Sequence, residues 1–304
     1  MSQQNSAPEM HSAHANAIIG HVKFGIRYMT AYRYDRAVTF SPHEVRLFPR
    51  NDRSYQIQRL DFRTQPATTV RFHRDLFDNV VAGCFFANPS SALELKVALE
   101  LEVAAKNPFD FILAPEAVEL PFAYAAEVEP LVRAYRTRQT ADTIQLPGWK
   151  APTADSRRRT VDSMVELTRA LHQGIAYERR EEGPARSPAE TLRQMRGACR
   201  DVSVLLAEML RELGLAARLV SGYLREADDQ VRRAEGSLHA WTEVFLPGAG
   251  WVGLDPTNGI FCNHNFIATA VGLSPADITP ISGSFYHRDR VPAEMTSRLE
   301  MLNL

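Results

Sequence analysis

The 304-residue sequence contains only three cysteines, Cys84, Cys199 and Cys262, odd in number and far apart. That spacing excludes a disulfide framework and a CxxC metal knuckle, and a reducing cytoplasm is the setting expected for it. Neither sign of charge dominates: 35 Lys and Arg stand against 36 Asp and Glu, a net charge of −1. Nucleic acid and anionic membrane are therefore not expected partners. No stretch reaches the roughly 18 uninterrupted apolar residues of a membrane-spanning helix. The opening MSQQNSAPEMHSAHANA lacks the basic segment and apolar run of a secretion signal, and the first twenty residues are expected to be disordered. Internal repeats and low-complexity tracts are missing as well. No G-x-S-x-G occurs, and "SGSF" lacks the strand-to-helix context of a serine nucleophile elbow.

The length favours two domains, and the pattern changes along the chain in that sense. From Val22 to about Ala105 it reads as short strands: "VKFGIRYMTAYRYDRAV", "YQIQRLDFRT" and "LELKVALELEV" alternate, and "NVVAGCFFA" is a short apolar run. Period-2 segments punctuated by "SPHE", "PRNDRS" and "ANPSS" predict a small antiparallel sheet or sandwich over residues 21–105. Residues 106–158 are proline-rich and read as a connector packing on both neighbours. Residues 159–304 then follow an α+β order, helices before strands.

In this last region Val161, Met164, Val165, Thr168 and Leu171 define a helix ending near Gly174. A short helix follows, with Ser187 as N-cap, Pro188 in the first turn, Glu190 completing a capping box and Gly197 as its stop. Val202, Leu205, Leu206, Met209, Leu210 and Leu213 then keep helical spacing up to Gly214. "AARLVSGYL", "LHAWTEVFL" and "WVGLDPT" read as three strands. The charged loop "READDQVRRAEGS" separates the first two, and a "PGAG" turn separates the others.

Cys199 falls at the start of the apolar-striped helix. There the unpaired N–H groups and the positive end of the dipole favour thiolate, the form that attacks carbonyls, and the same N–H groups can hold an oxyanion. Arg200 adds positive potential if it faces the site, and Asp201 suits a capping role. Among nine histidines, His239 is the one inside an alternating strand, on the same face as Trp241 and Glu243. A tight "PGAG" hairpin would bring Asp255 opposite or diagonal to His239, where a carboxylate fixes the imidazole tautomer.

Each residue has a plainer reading. A single cysteine is usually a packed core residue, a strand histidine a hydrogen-bonded one, and an aspartate before proline a turn former. The joint spacing of Cys199, His239 and Asp255 favours chemistry. Cys84 in "AGCFF" reads as buried strand, Trp241 and Trp251 as hairpin packing, and Cys262 with His264 as too few ligands for a metal.

"GACRDVSVLLAEMLRELGLAARLVSGYL", "LHAWTEVFLPGAGWVGLDPTNG" and the chain order Cys, His, Asp resemble the transglutaminase-like superfamily over about residues 160–275. "YRYDRAVTFSPHEVRLFPR" and "DLFDNVV" resemble the bacterial transglutaminase N-terminal region, with Asp78 where many relatives carry glycine. The resemblance implies an α+β fold, a papain-like core preceded by a β-rich N-terminal domain. It implies Cys199 as nucleophile, His239 as general base and acid, and Asp255 as orienting carboxylate. Tyr177 and Gln194 are candidates for a further oxyanion donor. The activity implied is thiol-dependent acyl transfer on a peptide or protein substrate, with hydrolysis by a cysteine peptidase or amidase favoured. The alternatives are cross-linking or deamidation at protein glutamine, and a binding module with a silent triad. The mechanism calls for no cofactor and no metal. Oligomeric state is not legible.

Overall fold

The computed structural model describes residues 21–50, 55–180, 183–225 and 233–304. The expectation of an unstructured N-terminus, and most of the charged loop after Arg225, lie outside these residues. The chain begins with six strands: β1 (His21–Phe40), β2 (His43–Val45), β3 (Tyr55–Gln65), β4 (Thr69–Arg74), β5 (Val80–Phe85) and β6 (Ser90–Ala104). All pair antiparallel, as the alternation predicts. β1, β6 and β3 lie side by side in one sheet, and β2, β5 and β4 form part of another. The faces between them share one apolar cluster that includes Ile26, Leu95 and Leu99 from the first sheet and Val45, Ala82 and Cys84 from the second.

Residues 106–158 hold more structure than a connector requires: β7 (Glu119–Leu120), the helix α1 (Glu129–Arg136) and the start of β8 (Arg158–Arg159). The helix escaped the sequence reading because "EPLVRAYR" is two turns long and buries one residue, Val132. Leu120, Ile144 and Leu146 are buried in the same cluster as the helices that follow.

The remaining elements are α2 (Thr160–Gly174), β9 (Ala176–Tyr177), α3 (Pro188–Gln194), β10 (Arg196–Gly197), α4 (Cys199–Glu212), β11 (Ala217–Arg225), β12 (Arg233–Leu246), β13 (Gly250–Asp255), β14 (Ile260–Phe261) and β15 (Phe266–Gly272). α4 buries Val202, Leu205, Leu206, Met209 and Leu210 as its periodicity predicts. It stops at Gly214, whose φ of +78° only glycine adopts without strain. β11, β12 and β13 are the three expected strands. β12 begins earlier than "LHAWTEVFL" suggests, because Arg233–Glu235, read as part of the charged loop, pair with the C-terminal strand.

That pairing joins the two regions. After β16 (Ile281–Ser282) and β17 (Phe285–Tyr286), strand β18 (Ala293–Asn303) runs antiparallel to β1 along its length, from Phe24 opposite Asn303 to Tyr34 opposite Ala293. One continuous path, β14-β13-β12-β18-β1-β6-β3, therefore crosses from the helical core into the N-terminal strands. β16 likewise pairs with β2, and β17 with β1. Residues 281–303, grouped with the core from sequence alone, hydrogen-bond to the N-terminal strands.

A second joint comes from "DLFDN". Asp75 Oδ1 accepts from the backbone N–H groups of Phe77 and Asn79 at 2.9 and 3.0 Å. Asp78 in this turn has a φ of +61°, a conformation glycine adopts more readily than aspartate. The turn presents the fully buried Asn79 to β15. Its Nδ2 donates to Val271 O at 2.8 Å and its Oδ1 accepts from Val271 N at 2.9 Å, so one side chain pairs a strand residue on both backbone groups. Asn79→Ala strands both, and the expected loss of unfolding free energy is roughly 2–4 kcal/mol. Tyr223→Phe removes only the buried bond to Leu47 O and is expected to cost about 1 kcal/mol. Urea denaturation of the two variants checks the order.

Candidate active site

Cys199 reaches its position through a short relay. Ser187 Oγ accepts from Glu190 N at 3.2 Å and caps α3. The helix stops at Gln194, where Met195 turns left-handed with a φ of +47°, and not at Gly197 as expected from sequence. Gly197 has another task. A Cβ there would lie 3.0 Å from the Asp201 Cβ, so any side chain would crowd the first turn of α4. Arg196 and Gly197 pair in parallel with Ala176 and Tyr177 and deliver Ala198 and Cys199 to the helix start. Asp201, fully buried, has the capping role. Its Oδ2 accepts from Ala198 N at 2.9 Å, and its Oδ1 accepts from Arg186 N at 2.8 Å and Arg180 Nη2 at 2.6 Å. Arg200 Nη1 donates to Arg180 O at 2.8 Å.

His239 and Asp255 come from neighbouring strands. The register sets Thr242 opposite Leu254, which puts Asp255 opposite Trp241 and diagonal to His239. Asp255 Oδ2 lies 2.9 Å from His239 Nε2, and the Cys199 thiol at the start of α4 interacts with the same imidazole. His239 is 7% exposed and Asp255 not at all, whereas Cys199 is half-buried. The imidazole packs beside a pair of aromatic rings, Trp241 at 6.4 Å and Phe266 at 6.2 Å between centroids.

Electrostatics follow from this geometry. Burial would raise the Asp255 pKa. The imidazole, the Asn258 amide at 2.6 Å and the Thr257 N–H at 2.9 Å outweigh it and hold the carboxyl below its ordinary range. Burial alone would likewise discharge His239, yet the bonds to Asp255 and Cys199 raise its pKa to about 10. For Cys199 burial opposes charge. The hydrogen bond to His239, the imidazolium charge and the backbone N–H groups of Ala240 and Arg200 bring the thiol below its ordinary value. The other cysteines move the opposite way: burial pushes Cys84 up to about 11 and Cys262 well above the ordinary thiol. An anionic sulfur facing a cationic imidazole is the combination that adds to a carbonyl and then protonates a leaving nitrogen.

Other sequence candidates fall elsewhere. Gln194 donates its amide to Glu190 at 3.1 Å on the exposed side of α3. Tyr177 is 60% exposed on the strand beside Gly197. Cys262 packs against Gly253, while His264 Nδ1 accepts from Lys106 N at 3.3 Å. Among the described residues no three His, Cys, Asp or Glu side chains are grouped to hold a metal ion. Sequence reasoning missed Asn258, whose side-chain amide reaches back across the Asx-turn that Asp255 forms with the Thr257 N–H. It also missed the N–H of Ala240, which depends on where a strand ends.

Comparison with known proteins agrees with this geometry. Residues 149–256 match the model of the transglutaminase-like superfamily, and residues 24–103 that of the bacterial transglutaminase-like N-terminal region. An uncharacterized protein of Mycobacterium leprae is 24% identical over 275 residues, covering 90% of this chain and 96% of its own. A protein-glutamine gamma-glutamyltransferase of Pseudomonas aeruginosa is 35% identical over 65 residues, 20% of this chain and 10% of its own. A crystal structure from Cytophaga hutchinsonii, provisionally named a cysteine protease, superposes with a TM-score of 0.64 at 14% identity, covering 94% of this chain and 98% of that one. The two matches, in order along the chain, give it a transglutaminase-like core preceded by a bacterial transglutaminase-like N-terminal region.

Proposed function

We propose that the protein is a cysteine peptidase or amidase that cleaves a peptide or other amide bond of a peptide or protein substrate through a thioester. The observation that carries this reading is the meeting of Cys199, His239 and Asp255, in which the carboxylate bonds the imidazole and the thiol beside that imidazole is drawn below its ordinary pKa. Cys199 Sγ adds to the amide carbonyl carbon. The oxyanion forms beside the first-turn N–H groups of α4, where the dipole favours negative charge. His239 gives its proton to the leaving nitrogen as the C–N bond breaks. It then takes a proton from water as the hydroxyl attacks the thioester, and the acid product leaves. Asp255 holds the ring through Nε2 throughout. We place the protein in a reducing compartment, where Cys199, free in the structure, stays a thiol.

A second reading keeps the same site and replaces water by an amine, giving transamidation at glutamine. The 65-residue likeness to a protein-glutamine gamma-glutamyltransferase favours it. A peptide panel separates the two: hydrolysis of a main-chain bond yields a new peptide N-terminus, whereas transamidation and deamidation release ammonia. New N-termini are the expected result.

Thiol reactivity tests the site itself. With iodoacetamide near neutral pH, Cys199 is expected to alkylate at least about tenfold faster than Cys84 or Cys262. Because its thiolate persists below the ordinary thiol pKa, that advantage should grow as pH falls. His239→Ala should abolish it, and preferential labelling of Cys84 or Cys262 would refute the assignment. Amide cleavage should follow a bell in pH, its acid limb set by thiolate formation and its alkaline limb, above the ordinary histidine range, by loss of the imidazolium proton. Asn258→Ala removes one donor to the Asp255 carboxylate and is expected to lower kcat/KM about tenfold.

A further inference from the structure

Cys199 and His239 sit on different elements, so the sulfur–imidazole contact exists only if the first turn of α4 is held against β12. The strand leaves room for this. Continuing the register of Thr242 opposite Leu254 by two residues puts Pro256 opposite Ala240, and proline has no N–H to give the Ala240 carbonyl. α4 fills that gap. Ser203, one turn after Cys199, places its Oγ 2.9 Å from Ala240 O and 2.8 Å from Cys199 O, within reach of both carbonyls. Thr242 Oγ1 answers from the strand and donates to Ser203 O at 2.9 Å. Both hydroxyls are buried, Ser203 at 1% and Thr242 at 0% exposure. The N–H of the same Ala240 peptide unit favours the charged form of the Cys199 sulfur.

We propose that Ser203 and Thr242 are positioning residues that hold the Cys199 sulfur at reacting distance from His239 by fixing the first turn of α4 to β12. Neither hydroxyl touches the reacting atoms. Apolar packing of the helix stripe seats α4 on the sheet, but it is non-directional and tolerates sliding. Two hydrogen bonds to defined carbonyls remove that freedom, and small displacements of a nucleophile cost much rate.

The proposal rests on the thiol-dependent reading above, and one experiment separates their failures. The native chain, Ser203→Ala, Thr242→Val and the conservative Thr242→Ser are compared by the pH dependence of iodoacetamide alkylation at Cys199, read by mass spectrometry, and by thermal melts. Ser203→Ala and Thr242→Val are expected to slow alkylation at acid pH about tenfold and to shift the acid limb toward the ordinary thiol. Thr242→Ser, which keeps the hydroxyl, should stay within about twofold of native. If the native Cys199 reacts no faster than an ordinary thiol, the thiol-dependent reading fails. If the native thiol is activated and neither variant moves the limb, the positioning role is overturned. Melting shifts without a moved limb, or loss of folding in both variants, make the hydroxyls purely structural and overturn it as well.

Discussion

Asp255 carries a negative charge where water does not reach, and the site depends on the donors that keep it charged. An uncompensated buried carboxylate would be protonated, because removing it from solvent costs several kcal/mol. Here the imidazole, the Asn258 amide and the Thr257 N–H surround it. The fixed anion holds a proton on His239, and the resulting cation favours thiolate at Cys199. The thiol at the helix start is the end of this sequence of effects, and the dipole of α4 adds to it.

The loop that presents Asp255 is fastened from outside the sheet. β13 ends at Asp255, and the chain turns through Asn258 and Gly259, the glycine with a φ of +70°. His172 at the end of α2 lies 2.6 Å from the Thr257 carbonyl, and its ring packs on Gly259. α2, α4, β12 and β13 thus each fix one part of the site. β12 also runs past it, pairing through Arg233–Glu235 with β18, which pairs with β1. The N-terminal strands and the strand of His239 are hydrogen-bonded through a single intermediary. The Asn79 side chain ties the same region to β15.

Much of this was legible because it is written in local patterns. The period-2 strands, the helix of Thr160–Gly174, the apolar stripe of α4 and its Gly214 stop are consequences of side-chain spacing. Cys199, His239 and Asp255 stood out because each occupies an element boundary or strand face whose geometry follows from a few neighbours. What could not be read depends on contacts distant in sequence. Gly197 looks like a helix stop, whereas it is the place where the chain passes close to Asp201, and the stop is at Met195. The fastening of residues 281–303 onto the N-terminal strands is a pairing across more than 230 positions, with no signature in either partner. Ser203 reads as one more polar residue of an amphipathic helix until its hydroxyl is seen beside the Ala240 carbonyl of β12.

The match of residues 149–256 to the transglutaminase-like superfamily fits this division of labour: a helix supplies the thiol, two strands the imidazole and carboxylate, and a β-rich N-terminal region supports the sheet. The central claim is that Cys199 and His239 form a thiolate–imidazolium pair in the resting protein. The ultraviolet thiolate absorbance of the native chain, minus that of Cys199→Ala, followed across pH, tests it most directly. The account predicts a thiolate signal that persists well below the ordinary thiol pKa and returns to the ordinary range in His239→Ala. A difference signal that first appears at or above the ordinary thiol range in the native chain would contradict it.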